Sequence, residues 1–257
     1  ACGTGKTLTA YYAYQELKPI LAIYLVPSLQ LITQTLTGWA KESLANNNAI
    51  SPFIICSDKS NEKIEENNPE LWLQELGIKV SNKKDEIKDF LNSKQPRKVI
   101  FSTYQSSKIL ASNLSKINII PDLAFFDEAH NTTSSKVKVF GHLLSDKNLK
   151  IKNRLFLTAT PKKLIGNNNK YYSMDDESIY GKVIDEITFK DAIEELGMLN
   201  DYRIITQLVT DAEVKKLLND NPFVIDQEKL PEEVEIKLIA SALTIKKVAK
   251  NKKIKNA

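Results

Sequence analysis

The sequence predicts an α/β protein whose core is a mostly parallel β-sheet, and three observations support this prediction. Short apolar runs of strand length alternate with segments of helical periodicity. The 257 residues are 42% hydrophobic and 26% charged, which is typical of a globular protein with a sizeable core. Near-continuous apolar strands separated by helices indicate a parallel sheet covered on both faces. The predicted strands are residues 20–26, 53–56, 99–103, 122–127 and 155–158.

Helices are predicted between these strands. Leu29, Ile32, Leu36 and Trp39 recur at the spacing of one helix face, which we expect to pack on the sheet. The polar segment 61–95 is longer than an ordinary connection, so we interpret it as an elaboration of the core. The predicted helices are residues 7–17, 28–44, 83–91, 188–196, 212–218 and 231–253.

The length allows one to two domains, and the character of the sequence changes between residues 180 and 200. We therefore predict a first domain over residues 1–185, which holds the parallel sheet. Residues 186–257 would form a linker and the incomplete start of a second domain, with a strand at 202–209. The lysine-rich run at 246–255 is either a solvated helix face or a patch that contacts phosphates.

The composition excludes several classes of protein. No apolar run approaches the roughly 20 residues of a membrane span, so we expect no contact with a membrane. Cys2 and Cys56 are too few for a disulfide framework or a four-ligand zinc site, and a cytoplasmic location is the simplest expectation. The net charge of +4 does not by itself indicate nucleic acid. Only three of the 36 basic residues are arginines: Arg97, Arg154 and Arg203.

A phosphate-binding loop is predicted at the start of the chain. Gly3 and Gly5 allow the backbone to approach phosphate oxygens and to turn its amides toward them. Lys6 would neutralise the β- and γ-phosphates of a nucleotide, and the Thr7 hydroxyl would bind Mg²⁺. A glycine turn before a helix is the alternative interpretation. The residues that we predict to contact the nucleotide here are Gly3, Thr4, Gly5, Lys6, Thr7 and Leu8.

An acidic pair follows the fourth predicted strand. Asp127 can hold Mg²⁺ through its water shell, and Glu128 can orient and deprotonate an attacking water. His130 is one of two histidines in the chain, and we place it at the same nucleotide site. Glu128 and Lys6 are the predicted catalytic residues, whereas Thr7 and Asp127 are the predicted magnesium ligands.

Two threonines follow the fifth predicted strand. The hydroxyls of Thr158 and Thr160 flank a small residue and can hydrogen-bond both the acidic motif and a neighbouring segment. Pro161 then prevents the strand from continuing. We predict that these threonines couple the acidic motif to the rest of the protein, although a simple strand end followed by a turn is the alternative.

These three motifs, in this order, resemble those of superfamily two helicases and translocases of the DEAD/DEAH group. Asp-Glu-Ala-His at 127–130 matches the motif that names the group, and Thr-Ala-Thr at 158–160 matches its third motif. Two more segments resemble the group's nucleic-acid motifs, which contact the backbone without reading bases. The residues that this resemblance assigns to nucleic acid are Pro27, Ser28, Gln34, Ser102, Thr103 and Gln105.

The resemblance implies a RecA-like lobe that binds ATP and Mg²⁺ and moves along, or separates, duplex DNA. The stretch 172–177, with Tyr180-Gly181-Lys182 and Asp201-Tyr202, further resembles the helicase module of restriction–modification enzymes. Such parents add a second RecA-like lobe and nuclease or methyltransferase domains as partners. Two alternatives stay open: a repair or RNA helicase of the same superfamily, and a nucleotide-binding module without catalysis.

Two features that the family possesses are absent from the sequence. No strand precedes the phosphate loop, so we expect a fragment with a gap in the centre of its sheet. No Gly-Arg pair is present, whereas the family's second lobe supplies an arginine that stabilises the transferring phosphoryl group. We therefore expect the chain alone to be marginally stable, to bind ATP weakly and to show no DNA-stimulated turnover.

Overall fold

The computed structural model describes residues 3–56, 77–133, 139–164 and 171–201, together with positions 209, 210, 212, 213, 240, 241, 244 and 245. The chain divides into two compact units, residues 1–200 and residues 201–257. The sheet and all the motifs discussed below lie in the first unit. The predictions for residues 202–208, 214–239 and 246–257 fall outside the described residues, and the last of these ranges includes the whole lysine-rich run.

The first unit contains a five-stranded parallel sheet, which confirms the predicted fold class. The spatial order of the strands is β2-β3-β1-β4-β5, and every neighbouring pair is parallel. All five predicted strands are present, with bounds within two residues of those predicted. The strands are β1 (Leu21–Val26), β2 (Ser51–Ile55), β3 (Lys98–Thr103), β4 (Leu123–Asp127) and β5 (Asn153–Leu157).

Helices connect the strands and cover both faces of the sheet. The first three helices lie within one residue of their predicted bounds, whereas residues 107–116 form a helix that the sequence analysis does not predict. At 188–196 the structure has only a short turn of π-helix, Asp191–Glu195. The helices are α1 (Lys6–Leu17), α2 (Leu29–Ala45), α3 (Lys84–Asn92), α4 (Ser107–Lys116) and α5 (Glu177–Tyr180).

The core forms two clusters because side chains alternate between the faces of each buried strand. Along β1, Tyr24 contributes to the cluster beneath α1 and α2, whereas Ile23 and Leu25 contribute to the other cluster. The first cluster is rich in aromatic side chains: Tyr11, Tyr14, Tyr24, Trp39, Phe101 and Phe125. The second combines aliphatic residues of α3 and α4 with aromatic side chains from several elements, among them Phe90 and Tyr180.

The expected gap in the centre of the sheet is not found. β1 pairs directly with β4 on one side and with β3 on the other, so the described strands form a continuous sheet. Within the described part of the chain, β5 stands at the edge of the sheet, and its apolar residues Leu155, Phe156 and Leu157 are only half-buried. Among the described residues, no helix is long and apolar enough to cross a membrane.

Candidate functional site

The candidate site lies where the parallel strands end. The carboxyl ends of parallel strands share one edge of the sheet, and ligands of open α/β sheets bind at that edge. In this protein β1 ends before Pro27, β3 before Tyr104, β4 at Asp127 and β5 before Thr158. Each motif that the sequence analysis singled out after a strand is therefore brought to the same edge.

The glycine loop leads into helix α1 with a backbone that suits an anion. Gly3 and Gly5 have φ angles of 77° and 83°, in the left-handed region that favours glycine. Gly5 caps the helix without a side chain, and the first amides of an α-helix have no partner within the helix. These amides and the positive end of the helix dipole can therefore bind a phosphate group. Lys6 and Thr7 form the first turn and are both half-buried.

Asp127 is held at the end of β4 by hydrogen bonds to both carboxylate oxygens. Its Oδ1 accepts a hydrogen bond from the amide of Glu128 at 2.9 Å, and its Oδ2 accepts one from the Tyr24 hydroxyl at 3.1 Å. Burial raises the pKa of Asp127 above its usual value, and the nearby Glu128 carboxylate adds to this rise. The two hydrogen bonds and the positive charge of Lys6 oppose the rise. A bound cation would relieve the desolvation of this carboxylate.

Glu128 follows with an unusual backbone conformation. Its φ and ψ angles of 48° and 47° lie in the left-handed region, which is unfavourable for a residue with a side chain. The carbonyl of Glu128 accepts hydrogen bonds from the amide and the side chain of Asn131 at 2.9 and 3.0 Å, which close the turn. The carboxylate is half-buried, and its Oε2 lies 3.3 Å from Nδ1 of His130.

His130 connects the acidic motif to the threonines after β5. Its Nδ1 lies 3.0 Å from the Thr158 hydroxyl and 3.5 Å from the Thr160 hydroxyl. The Thr158 hydroxyl also accepts a hydrogen bond from the amide of Thr160 at 3.2 Å. The acidic motif and the Thr-Ala-Thr segment are thus in direct contact, and the coupling role that we assign to these threonines stays a prediction.

Two tyrosines support the acidic motif and the turn that follows it. The hydroxyl of Tyr104 donates a hydrogen bond of 2.7 Å to the carbonyl oxygen of Asp127. The hydroxyls of Tyr180 and Thr132 share a hydrogen bond of 2.8 Å, and the Tyr180 ring packs on Phe156 with centroids 4.9 Å apart. The segment around Tyr180 therefore supports the turn that carries Glu128 and His130.

The predicted nucleic-acid residues fall into two groups. After β1, Ser28 and Gln34 are exposed and Pro27 is half-buried. The Ser28 hydroxyl caps helix α2 by accepting a hydrogen bond of 3.4 Å from the amide of Leu31. It therefore faces the helix N-terminus, where free amides can contact a phosphate.

After β3 two of the three predicted nucleic-acid residues are buried. Ser102 and Thr103 are only 0% and 1% exposed, so their side chains do not reach a nucleic-acid backbone in this structure. The Ser102 hydroxyl donates to the carbonyl of Thr103 at 3.2 Å, and the Thr103 hydroxyl lies 3.1 Å from that of Ser106. A turn of 3₁₀-helix, Tyr104–Ser106, follows the strand directly and uses these hydroxyls internally. Gln105 is the exposed residue of this segment among those predicted.

The arrangement fits a nucleotide with Mg²⁺. A Cβ atom built on Gly5 would meet nothing within 4 Å, so the space beside the loop is open at this point. Among the described residues, no group of three or more His, Cys, Asp or Glu could hold a metal ion. Mg²⁺ usually takes one or two protein ligands and completes its shell with water and substrate phosphates. Thr7 and Asp127 are the residues that would hold it.

Sequence reasoning missed three aromatic residues around the site. Tyr24 and Tyr104 hydrogen-bond Asp127 from opposite faces of the sheet, and the indole Nε1 of Trp39 donates to the carbonyl oxygen of Thr7 at 3.0 Å. One signal was available for Tyr24, because it is the only polar-tipped residue in the otherwise aliphatic strand Leu21–Val26. A buried tyrosine hydroxyl usually has a hydrogen-bond partner.

Comparison with a known protein family gives a match over most of the first unit. The family described as "Type III restriction enzyme, res subunit" matches residues 1–163. This region contains the glycine loop, the acidic motif and the Thr-Ala-Thr segment.

Sequence comparison finds viral relatives of this chain. "Probable helicase A859L" of African swine fever virus is 27% identical over 205 residues, which cover 79% of this chain and 21% of the viral protein. The same protein from another isolate is 27% identical over 244 residues, covering 95% of this chain and 24% of the viral protein. The chain thus spans only about a quarter or less of the length of these relatives.

Similar solved structures come from restriction–modification enzymes. A nuclease-deletion mutant of the type ISP enzyme LlaGI, in complex with a DNA substrate mimic, aligns with a TM-score of 0.61 and 31% identity. The alignment covers 78% of this chain and 16% of that one. The ATP-dependent type ISP enzyme LlaBIII bound to DNA aligns with a TM-score of 0.53 and 29% identity, over 74% of this chain and 14% of that one. The predicted resemblance to superfamily two helicases, and to the helicase module of restriction–modification enzymes, is confirmed.

Proposed function

We infer the function of this chain from its family, because it belongs to the family of the type III restriction enzyme res subunit. We propose that it forms the ATP-hydrolysing lobe of a DNA translocase in a restriction–modification enzyme. One observation carries the proposal. The acidic pair Asp127-Glu128 and the Thr158 hydroxyl are joined through His130, at the sheet edge where the glycine loop also lies. The DNA-bound state of the two similar restriction–modification enzymes supports DNA as the partner.

In this proposal the first turn of α1 binds the phosphates. The amides after Gly5 donate to phosphate oxygens, and the Lys6 ammonium balances their charge. Thr7 and Asp127 hold Mg²⁺, which supplies positive charge where negative charge develops during phosphoryl transfer. The buried setting of Asp127 strengthens its interaction with any cation, because the surrounding dielectric is low.

Glu128 accepts the proton of the attacking water. A general base must be able to turn toward the water, and the Glu128 side chain is only half-buried. His130 contacts both Glu128 and Thr158, so the position of the base depends on the segment after β5. Movement of the segment after β5 would therefore change the position of Glu128 through His130.

The arginines favour a second function for the chain by itself, that of a nucleotide-binding module without rapid turnover. Arg97 hydrogen-bonds Gln15 and lies over the Tyr14 ring, at 5.3 Å from its centroid. Arg154 is paired with Asp146 at 2.5 Å. Neither guanidinium is available to the nucleotide, and Arg203 lies outside the described residues. Turnover would then require an arginine from another domain or subunit, such as a second RecA-like lobe.

The other finer assignments belong to the same proposal. A repair or RNA helicase of the same superfamily is the rival. Preference for duplex DNA over RNA as the activator would decide against an RNA helicase, and a nuclease or methyltransferase domain in the parent protein would decide against a repair helicase. Pro27, Ser28, Gln34 and Gln105 would contact the nucleic-acid backbone, and a cytoplasmic location agrees with restriction of incoming DNA.

The test uses Glu128→Gln in the full-length protein. The amide can still position water but cannot accept its proton, so we expect normal nucleotide affinity and a turnover reduced by about 10²-fold or more. ATP hydrolysis is measured with and without DNA, and affinity is measured with a fluorescent nucleotide. Glu177→Gln, at an exposed carboxylate on α5, is the matched control and should behave as wild type. Hydrolysis by Glu128→Gln at the wild-type rate would exclude Glu128 as the base.

A further inference from the structure

Thr7 and Asp127 lie on different elements, one in the first turn of α1 and the other at the end of β4. If both hold one Mg²⁺, their separation must be kept within narrow limits, because Mg²⁺ requires near-ideal octahedral geometry with short oxygen distances. The two segments are 120 residues apart in sequence, so tertiary contacts must set this separation. The structure contains a continuous set of such contacts.

Two buried aromatic residues connect the candidate ligands. The indole Nε1 of Trp39 donates a hydrogen bond of 3.0 Å to the carbonyl oxygen of Thr7. The Trp39 ring packs edge-to-face on the Tyr24 ring, with centroids 5.2 Å apart and an interplanar angle of 81°. The Tyr24 hydroxyl donates a hydrogen bond of 3.1 Å to Oδ2 of Asp127. Each end of the pair is thus bonded to one of the two residues that would hold the ion.

The pair is held rigidly by its surroundings. The side chains of Tyr24 and Trp39 are completely buried, and both rings also contact Phe101 and Phe125 at centroid distances between 5.5 and 5.8 Å. Close packing of this kind leaves each ring one orientation, so the hydroxyl and the indole N–H are fixed in direction. The Tyr24 hydroxyl bonds the Asp127 oxygen that does not accept the Glu128 amide, which leaves the carboxylate a single orientation.

We propose that Tyr24 and Trp39 are positioning residues of the magnesium site, which set the orientation of the Asp127 carboxylate and the place of the Thr7 main chain. The proposal rests on the proposed function, because it assumes that Thr7 and Asp127 hold Mg²⁺ with a nucleotide. Neither aromatic residue touches the ion or the substrate. They act through the two ligands, as partners of metal ligands do in other metalloproteins.

The test compares nucleotide binding with and without Mg²⁺ in the full-length protein. Tyr24→Phe removes one oxygen atom and keeps the ring in the core. We expect the Mg²⁺ concentration that half-saturates nucleotide binding to rise by about tenfold, which is the lower range for loss of a partner of a metal ligand. Affinity for the same fluorescent nucleotide in EDTA should stay unchanged, because the amides and Lys6 that bind its phosphates are not altered.

Tyr11→Phe is the matched control. Tyr11 is completely buried in the same aromatic cluster and contacts Trp39 at 5.6 Å, but its hydroxyl has no hydrogen-bond partner among the described residues. This variant should match wild type with Mg²⁺ and in EDTA. Trp39→Phe, which removes the N–H donor, should raise the half-saturating Mg²⁺ concentration as Tyr24→Phe does. The rise in the double variant should be smaller than the two single effects combined.

Different results would overturn the positioning role of Tyr24 and Trp39 and the proposed function of the chain. An unchanged Mg²⁺ dependence in Tyr24→Phe, in a protein that binds nucleotide normally, would overturn the positioning role alone. A parallel loss of affinity with Mg²⁺ and in EDTA would also overturn it, because it would indicate a general disturbance of the core. A wild-type protein that binds no nucleotide under either condition would overturn the proposed function, and this inference with it.

Discussion

The two faces of the sheet hold Asp127 in different ways. Beneath α1 and α2, the hydroxyl of Tyr24 bonds its carboxylate. On the face of α3 and α4, the hydroxyl of Tyr104 bonds its carbonyl oxygen instead. Both tyrosines are completely buried, and burial raises the pKa of each well above its ordinary value, so both stay protonated donors at neutral pH.

The contact with Tyr24 positions the side chain of Asp127, whereas the contact with Tyr104 positions its main chain. The α1–α2 face contacts the Asp127 carboxylate and the main chain of Thr7, the two residues that would bind the metal, whereas the opposite face contacts the carbonyl of Asp127 and the side chain of Thr132. Substitutions on the first face should therefore change ligand binding, and substitutions on the second should change mainly stability.

The largest effect is expected for Trp39→Ala. Removing a completely buried tryptophan should lower the free energy of unfolding by about 3–5 kcal/mol. Because Trp39 also bonds Thr7, we expect binding of Mg²⁺-nucleotide to be lost even where the protein is still folded. Urea unfolding followed by circular dichroism, together with nucleotide binding in the folded baseline, measures both effects.

Leu114→Ala supplies the control from the opposite face. Leu114 is completely buried in the second cluster, and its truncation should lower the free energy of unfolding by about 2–5 kcal/mol. Nucleotide binding by the folded protein should survive. Equal loss of binding in both variants would mean that the two faces do not differ in the way described.

A smaller effect is expected for Tyr104→Phe. The change removes the donor to the Asp127 carbonyl, and a buried acceptor left without its partner destabilises by about 1–3 kcal/mol. The Mg²⁺ dependence of nucleotide binding should stay as in wild type, in contrast to Tyr24→Phe. If Tyr104→Phe raised the Mg²⁺ requirement as much as Tyr24→Phe, main-chain and side-chain placement could not be separated at this residue.

The effect that is smallest at neutral pH is a pH dependence on the second face. Burial raises the pKa of Tyr180 to about 12, and the Thr132 hydrogen bond only partly opposes this rise. An unfolded tyrosine loses its proton near pH 10. Stability contributed by Tyr180 is therefore complete below pH 10 and falls as pH rises toward 12, because the unfolded state is the first to lose the proton. Unfolding measured between pH 9 and 12 should be less pH-dependent in Tyr180→Phe; identical slopes would contradict this assignment.

The sequence predicts the sheet well because its inner strands β1, β3 and β4 are buried on both faces. Apolar runs such as residues 20–26 are long enough to be recognised, and polar or turn residues bound them. The start of β5 is less visible, since Asn153 and Arg154 are polar but pair with β4. The continuous order of the sheet, against the expected central gap, depends on the pairing of β1 with β4, which no local pattern encodes.

The candidate site was predictable where its chemistry is local. Adjacent acids after a strand and glycines before a helix carry their own signal in a few residues. Whether a side chain is exposed to solvent depends on the tertiary structure and not on a few neighbouring residues. Ser102 and Thr103 resemble phosphate ligands by residue type, yet both are buried where the turn follows β3. The hydrogen-bond partners of Tyr24 and Trp39 could not be predicted from the sequence, because Asp127 and Thr7 are far from them in the chain.

The left-handed backbone of Glu128 has a consequence for engineering this protein. A residue with a side chain in this conformation is less stable than glycine by about 1–2 kcal/mol, and the fold supports it with the Asn131 hydrogen bonds to its carbonyl. Selection for thermal stability alone would therefore favour glycine at the position that we assign to the catalytic base. We therefore expect a variant that is selected for stability without an activity screen to gain stability and lose catalytic activity through substitution of this residue.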